Sequence, residues 1–281
     1  MIFVGDLGQL PLVSDRTTYD SKSWEKLLWK EFKIVVTLDK IFRQEGENIE
    51  QKRFRQLLTN LRDFDPQIED WKLLMMRTPI DLNATTNEEF QNCVHLFSTN
   101  DKVYNHKKIM LHLLMHPIAW SLATKVRSLN SIEDYSNGEL DLELLINNNS
   151  RVMLTTNIWV EASLVNGALR YIRNVIYKPE SKPPEPPTYV LVEFDNYSGL
   201  PFQDDQPNIV PIIPIQRGRT LQLPLRLAWA LTIHKSQVLT LSKATIDIGP
   251  RERTGLTFVA ISRVKFLQSL RIKPPFTYEC Y

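Results

Sequence analysis

The sequence predicts an α/β protein whose main domain is interrupted by a small β-rich insertion. Near both ends of the chain, segments with strand character alternate with segments of helical periodicity, as in IFVG, DSKSWEKLLWKEF, IVVTL and IEQKRFRQLLTNLR. From Arg151 to about Thr220, short β-rich segments instead follow one another with turns between them. A middle section of different texture inside an alternating pattern indicates an insertion into an α/β domain.

The helices and strands of the alternating part are predicted from apolar spacing. Asp20 or Ser21 is a suitable cap for a helix that presents Trp24, Leu27 and Leu28 on one face. The clearest helix has apolar residues at i, i+3, i+4 and i+7, namely Phe54, Leu57, Leu58 and Leu61. NCVHLFST predicts a strand and KVYNHKKIMLHLL a helix. Towards the carboxyl end, RLAWALTIHKSQ predicts a helix, ATIDIG a buried strand and GLTFVAISRVK another helix.

The middle section predicts a small antiparallel barrel or sheet. Its strand candidates are RVMLTTNIWV, ALRYIRNVIY, TYVLVEF and NIVPIIPI. The segment KPESKPPEPP is rich in proline and charge, which is typical of a stiff, exposed loop.

Composition sets limits on compartment and partners. The 281 residues suffice for one large domain or two modest ones, and a formal net charge of +2 requires any nucleic-acid surface to be local. Cys93 and Cys280 lie far apart, which disfavours a disulfide framework and favours a reducing compartment. No secretory signal is present, and the apolar stretch IMLHLLMHPIAWSLATKV contains two His, a Pro and a Lys. We therefore expect a soluble intracellular protein.

Two amino-terminal segments carry polar groups suited to a site. In GDLGQLPLV, Gly5 permits a tight turn, Asp6 can fix it, and Gln9 presents an amide. In LDKIFRQ, the apolar pair before Arg43 is expected to anchor the segment and to aim the guanidinium outward, where it suits a phosphate. A strand-ending turn and a surface ion pair are the simpler alternatives.

Three further segments follow in the second half of the chain. The dipeptide Asn166-Gly167 predicts a hairpin turn. The four polar residues His234 to Gln237 close an apolar stretch, where they can bind a phosphodiester backbone or simply cap a helix. Arg263 projects from the apolar segment GLTFVAISRVK, as an arginine finger or a structural ion pair would. His106, His112 and His116 lack carboxylate or Cys partners at ligand spacing, which disfavours a metal site.

Taken in order, these segments resemble the Pif-type DNA helicases, the branch of helicase superfamily one that includes RecD. The resemblance rests on GDxxQLPxV, FRQ, RVMLxxN with LVNG, LAWALTIHKSQ and VAxSRV, and it extends from residue 1 to about Leu270. It implies that residues 41–281 form a RecA-like domain with a small β-barrel inserted at about 151–220. Residues 1–40 would be the end of a truncated first RecA-like domain. A helicase-bearing mobile element is a possible source of such a chain.

The resemblance also implies roles for individual residues in an ATP-dependent, 5′-to-3′ DNA helicase that uses Mg²⁺. Gln9, Arg43 and Arg263 would act on the γ-phosphate, and Gly5, Asp6 and Gln237 would couple nucleotide state to DNA. The implied DNA contacts are Thr99, Asn100, His234, Lys235 and Ser236. Single-stranded or partly duplex DNA would be the partner of a monomeric, nuclear or otherwise intracellular protein. DNA repair, recombination and telomere maintenance are the processes the family suggests.

The chain departs from the family in several respects. No Gly is followed by Lys and no Asp-Glu dipeptide occurs, so the phosphate-binding loop and the metal-binding motif are absent from the sequence. We therefore expect residue 1 to be an internal point of a longer helicase. Val238 and Arg170 stand where the family usually has Gly, and a β-branched residue would strain a backbone that needs φ > 0.

Three functional hypotheses follow from these observations. The chain is the carboxy-terminal fragment of a helicase, a non-catalytic module that binds single-stranded nucleic acid, or an inactive truncated copy. The second hypothesis would use aromatic stacking and local basic groups, of which the sequence offers Arg170, Arg173, Arg217, Arg219 and Arg226.

Overall fold

The computed structural model describes residues 5–6, 9–10, 33–34, 36–38, 40–63, 65–125, 142–249 and 255–278. The predicted strand IFVG and the predicted helix DSKSWEKLLWKEF lie outside these residues. Two compact units divide the chain, one formed by Met1–Asn100 with Leu231–Tyr281 and the other by Asp101–Ala230. The predicted domain boundaries near residues 40, 151 and 220 stay predictions.

The described residues form five helices and fourteen strands, numbered here in chain order. The helices are α1 (Ile49–Arg62), α2 (Ile68–Met75), α3 (Ala84–Glu89), α4 (Asn100–Leu113) and α5 (Leu256–Ile261). The strands are β1 (Val94–Phe97), β2 (Ala119–Leu122), β3 (Thr124–Lys125), β4 (Glu143–Ile146), β5 (Arg151–Leu154), β6 (Leu169–Ile176), β7 (Tyr189–Glu193), β8 (Ile209–Ile212), β9 (Ile215–Arg217), β10 (Thr220–Gln222), β11 (Leu225–Leu227), β12 (Ala230–Thr232), β13 (Ala244–Asp247) and β14 (Leu270–Ile272). Short 3₁₀ turns lie at His234–Ser236 and Leu267–Ser269.

The first unit is built on a four-stranded sheet with the order β12-β1-β13-β14. The pairs β1–β13 and β13–β14 are parallel, with Val94 opposite Ala244 and Ala244 opposite Leu270. Strands β1 and β13 were predicted and are confirmed. A parallel sheet with helices around it fits the α/β class and the expected RecA-like character.

Helix α1 forms as its sequence predicts. Asn48 caps it, because its side-chain oxygen accepts a hydrogen bond from the Gln51 amide at 2.7 Å. The four predicted apolar positions, Phe54, Leu57, Leu58 and Leu61, are all buried. The helix packs against α5 and the 3₁₀ turn at Leu267–Ser269, and this buried stripe anchors it in the first unit.

The second unit is built from antiparallel strands. Its largest sheet has the order β11-β5-β6-β7-β8, and smaller sheets are formed by β3-β10-β9 and β2-β4. The strands predicted from Arg151 onwards are thereby confirmed, whereas the closed barrel stays a prediction. The predicted turn is confirmed as well, since Ala168 donates to the Val165 carbonyl at 3.0 Å and Gly167 has φ +90°. KPESKPPEPP connects β6 to β7 and is mostly exposed, as expected.

Three predictions about secondary structure are wrong or overestimate the length of an element. RLAWALTIHKSQ is not a helix: it forms β11, β12 and a 3₁₀ turn. Its apolar residues are buried without any helical periodicity, and a continuous apolar run does not distinguish a buried strand from a buried helix. In IVVTL, the described residues Ile34, Val36 and Leu38 are 78–84% exposed and lie outside regular structure. Helix α5 has only six residues, so Ser262 caps its end and Arg263 follows it.

Among the described residues, no helix combines the length and the apolar character required to cross a membrane.

Candidate functional site

Arg43 turns towards the protein instead of outward. Its Nη1 donates to the Ser262 carbonyl at 3.0 Å, and its Nε donates to Thr240 Oγ1 at 3.0 Å. The expected anchor is wrong, because Ile41 and Phe42 are 44% and 67% exposed. The segment is held by the polar residues that follow the apolar pair. Burial lowers the pKa of Arg43 from its usual value.

Arg263 is one of the largest fully buried side chains of the molecule. Its Nε donates to the Val259 carbonyl at 2.7 Å, and its Nη2 donates to Ser262 Oγ at 2.6 Å. A longer bond of 3.4 Å joins Nη1 to the Ser236 carbonyl. The expected projecting finger is therefore a buried guanidinium that contacts its own chain.

The electrostatic environment of Arg263 is unusual. Its pKa is lowered to about 10, first by burial and second by the neighbouring positive charge of Arg43, and Asp6 partly offsets both effects. Both guanidiniums contact Ser262, one at the carbonyl and the other at the hydroxyl. The structure thus brings together two of the predicted site residues, and both remain protonated at neutral pH.

Asp6 and Gln9 form a local pair. The Gln9 amide nitrogen of the backbone donates to the Asp6 carbonyl at 3.2 Å, and Gln9 Nε2 donates to Asp6 Oδ2 at 3.4 Å. Asp6 Oδ1 also lies 3.3 Å from Arg62 Nε. Asp6 therefore fixes the turn after Gly5, as predicted, and it orients the side chain of Gln9.

The predicted DNA segment is a 3₁₀ turn, and its residues differ in accessibility. Lys235 is exposed, His234 and Gln237 are half-buried, and Ser236 is fully buried. The Ser236 hydroxyl donates to the Ile233 carbonyl at 2.7 Å, while the Ser236 carbonyl accepts from Arg263. One face of the turn thus contacts the buried arginine, and Lys235 extends into solvent.

Thr99 and Asn100 lie close to this turn. Both are exposed, and they follow β1 at its carboxyl end, where α4 begins. The Ile233 amide donates to the Phe97 carbonyl at 2.9 Å, so the residues after β12 and the residues after β1 lie side by side. The sheet places the two predicted DNA-contacting segments at one edge.

Val238 occupies a left-handed backbone conformation with φ +72°. The Leu239 amide donates to the Ser236 carbonyl at 3.1 Å, and Gln237 has φ −53° and ψ 144°. These features describe a type II turn, whose third residue requires φ > 0 and is normally Gly. The expectation of strain at this position is borne out by the geometry.

Two glutamines that the sequence analysis did not single out belong to the same network. Gln44 Nε2 donates to the Ser262 carbonyl at 3.2 Å and to the Val264 carbonyl at 2.9 Å. Gln51 Nε2 donates to the Lys265 carbonyl at 2.7 Å. The available signal was the position of Gln44 at the end of FRQ, directly after Arg43.

The basic groups of the second unit are partly neutralised. Arg170 lies 3.4 Å from Asp195, and Arg173 pairs with Glu193. Both pairs reduce the positive charge that this unit presents to a nucleic acid.

The comparisons with known proteins point to one group. No family model matches the chain. The human ATP-dependent DNA helicase PIF1 is 34% identical over 133 residues, which are 44% of this chain and 18% of the human protein. The Candida albicans ATP-dependent DNA helicase PIF1 is 25% identical over 366 aligned residues, covering 97% of this chain and 39% of that protein.

Solved structures agree with these relatives at the level of the fold. The crystal structure of Candida albicans Pif1 helicase aligns with a TM-score of 0.70 at 24% identity, covering 95% of this chain and 63% of that one. Bacteroides Pif1 helicase in complex with ADP-AlF3 and single-stranded DNA aligns with a TM-score of 0.61 at 21% identity, covering 98% and 62%. The chain thus spans less than two thirds of the length of each relative. The chain is therefore similar to Pif1 DNA helicases, in sequence over part of its length and in fold over nearly all of it.

Proposed function

We propose that this chain is the carboxy-terminal part of an ATP-dependent 5′-to-3′ DNA helicase, in which it supplies arginines to the nucleotide and a contact surface to single-stranded DNA. The observation that carries the proposal is the meeting of Arg43 and Arg263 at Ser262. Relatives named as ATP-dependent DNA helicases support it.

The arginine pair has the chemistry of an anion site. The hydrogen-bond partners of the two guanidiniums are carbonyl and hydroxyl oxygens, and the negative charge of Asp6 only partly offsets the burial of Arg263 and the charge of Arg43. The buried charge of Arg263 and the half-buried charge of Arg43 destabilise each other, and a polyphosphate placed beside them would offset both. In phosphoryl transfer, such a pair stabilises the negative charge that develops on the transferred group.

The same arginine provides a route from nucleotide to DNA. Arg263 Nη1 contacts the Ser236 carbonyl, and Ser236 follows Lys235, the exposed cation of the segment. A shift of Arg263 towards a phosphate would release or tighten this contact and so move the turn that carries Lys235. Gln9, held by Asp6, would report nucleotide state as well.

The residues of this chain fit the phosphate end of ATP and not its metal ion. The described residues contain no group of three or more His, Cys, Asp or Glu side chains that could hold a metal. The full sequence contains neither a Gly-Lys nor an Asp-Glu dipeptide. We therefore propose that the phosphate cradle and the Mg²⁺ ligand belong to a longer helicase of which this chain is a part.

Binding to single-stranded DNA tests the proposed contact surface. We expect a fluorescein-labelled oligothymidylate to bind with an affinity that falls as salt rises. Lys235→Ala should weaken binding and reduce the slope of log K against log salt by about 0.7, the value for one phosphate contact on a single strand. Lys182→Ala, an exposed lysine in the proline-rich loop, is the matched control and should change neither quantity. Equal effects of the two substitutions would contradict the assignment.

DNA-stimulated ATP hydrolysis separates the enzyme from a simple binding module. The absent phosphate cradle favours a non-catalytic single-strand-binding module as the second candidate for the chain alone. We expect the wild-type chain to hydrolyse ATP no faster than an Arg263→Ala control and to retain its binding to DNA. Turnover that Arg263→Ala abolishes would show that the chain completes an ATP site itself, and the proposal of an external cradle would then be wrong.

A further inference from the structure

Gln44 is buried between the two neighbours of Arg263. Only 5% of the residue is exposed, and its Nε2 donates to the carbonyls of Ser262 and Val264, at 3.2 and 2.9 Å. An amide NH₂ group has two N–H donors, and both are used here. The Gln44 side chain therefore binds the backbone carbonyls of Ser262 and Val264, the two residues that flank Arg263.

The segment that carries Arg263 depends on side chains for its backbone hydrogen bonds. Four successive carbonyls, from Ser262 to Lys265, accept bonds from residues distant in sequence. Arg43 and Gln44 donate to the first, Leu241 N to the second at 2.8 Å, Gln44 to the third and Gln51 to the fourth. Because α5 has ended at Ile261, these four carbonyls have no helical N–H donor, and long-range donors bind them instead.

Gln44 is itself fixed to helix α1. Arg55 Nη1 donates to the Gln44 carbonyl at 2.9 Å and to the Gly46 carbonyl at 2.5 Å. The next residues lead into the Asn48 cap of α1, whose apolar stripe is buried. The amide of Gln44 is thus held on a rigid support, which a positioning group requires.

We propose that Gln44 is a positioning residue for Arg263 and fixes the backbone that keeps its guanidinium beside Arg43 and the Ser236 carbonyl. Its importance for catalysis rests on the proposed function, whereas the positioning itself does not. Removing the amide leaves the Val264 carbonyl without its side-chain donor and the Ser262 carbonyl with Arg43 as its remaining side-chain donor, so the segment loses two of the bonds that hold it. The Arg263 Nε–H would then lose its well-shielded bond to Val259.

The exchange of the Arg263 Nε–H proton with water tests the proposal in the intact chain. The proton is observable by ¹⁵N–¹H NMR and is assigned by its loss in Arg263→Lys. Gln44→Met keeps the length of the side chain and removes both donors. We expect at least a tenfold faster exchange of this proton in Gln44→Met. Gln56→Met, which removes an exposed amide on helix α1, should leave the exchange rate of the Arg263 proton within twofold of the wild type.

A variant that destabilises the fold at another place distinguishes the positioning of Arg263 by Gln44 from a general loss of stability. Ile246→Val removes one methylene from buried strand β13 and lowers stability through lost core packing. It should leave the exchange of the Arg263 proton within twofold. If Gln44→Met does not fold, Gln44→Asn, which withdraws the amide by one methylene, is judged by the same tenfold criterion. Unchanged exchange in the folded Gln44 variant, or equal acceleration by Ile246→Val, would overturn the proposal. Loss of DNA binding or ATP hydrolysis would bear on the proposed function and not on this result.

Discussion

Replacing Val238 by Gly should stabilise the first unit, although the change removes a side chain. Val238 is the third residue of the type II turn that closes the Ser236–Gln237 segment, with φ +72°. A β-branched residue is a rare occupant of this region, because its Cβ substituents crowd the neighbouring backbone. The side chain is 89% exposed, so it offers almost no compensating burial.

The size of the effect follows from three contributions. A left-handed conformation costs an L-residue about 1–2 kcal/mol, and Gly adopts it without that cost. Gly in turn increases the entropy of the unfolded chain, which costs about 0.4–1 kcal/mol. The buried tenth of a valine side chain contributes about 0.3 kcal/mol at most. The central values of these contributions leave a net gain, so we expect Val238→Gly to raise the free energy of unfolding by about 0.5 kcal/mol.

Differential scanning calorimetry measures this directly. A gain of that size corresponds to a rise in Tm of about 1–2 °C for a protein of this size. Val238→Ala keeps a Cβ and should gain less than Val238→Gly. Val160→Gly, at an exposed position without a left-handed backbone, should lower the Tm. If Val238→Gly lowers the Tm as Val160→Gly does, the turn is not strained and the reasoning is refuted.

Three other substitutions or additions test the remaining geometry. Tripolyphosphate at ten times its Kd should stabilise the chain by about 1.4 kcal/mol. Calorimetry should show a clearly smaller rise in Tm with tripolyphosphate for Arg43→Gln than for the wild type. An equal rise in Tm would show that the anion binds elsewhere. Gly249→Ala should lower the free energy of urea unfolding by about 1–3 kcal/mol, because the backbone has φ +86° and the new Cβ would lie 2.9 Å from Ser98 Oγ. Phe54→Ala should cost about 3–5 kcal/mol in the same urea titration, since Phe54 is fully buried; a loss below 1 kcal/mol would show that α1 is not part of the core.

The sequence predicted correctly those elements whose apolar pattern fits only one type of secondary structure. Helix α1 has a cap, a clear 3.6-residue period and a buried stripe, and all three are present in the structure. RLAWALTIHKSQ has no such period, because its residues are buried on all sides of two short strands. In that situation, length and composition favoured the wrong element.

The candidate site shows a similar division. Motif order located Arg43 and Arg263, but not the direction of either guanidinium, since direction depends on contacts between residues about 220 positions apart. Gln44 was overlooked for the same reason. Its partners are backbone carbonyls, which every residue type has, so the sequence does not indicate which residues accept its hydrogen bonds. At Val238 the prediction of strain came from the resemblance, which places Gly at this position, and φ > 0 excludes most side chains there.

If the two arginines bind a phosphate as proposed, the neutral character of their hydrogen-bond partners leaves their charge available to that anion. Had a carboxylate paired with Arg263, the positive charge would already be compensated, and a phosphate would have to displace it. Carbonyl and hydroxyl oxygens satisfy the N–H groups without cancelling the charge, so burial and mutual repulsion lower the pKa of Arg263 to about 10. An arriving polyphosphate relieves that repulsion and raises the pKa of Arg263 again. Within that proposal, a bound anion would add to the partial offset that Asp6 already provides, and anion binding and the stability of the Ser262 segment would be thermodynamically linked.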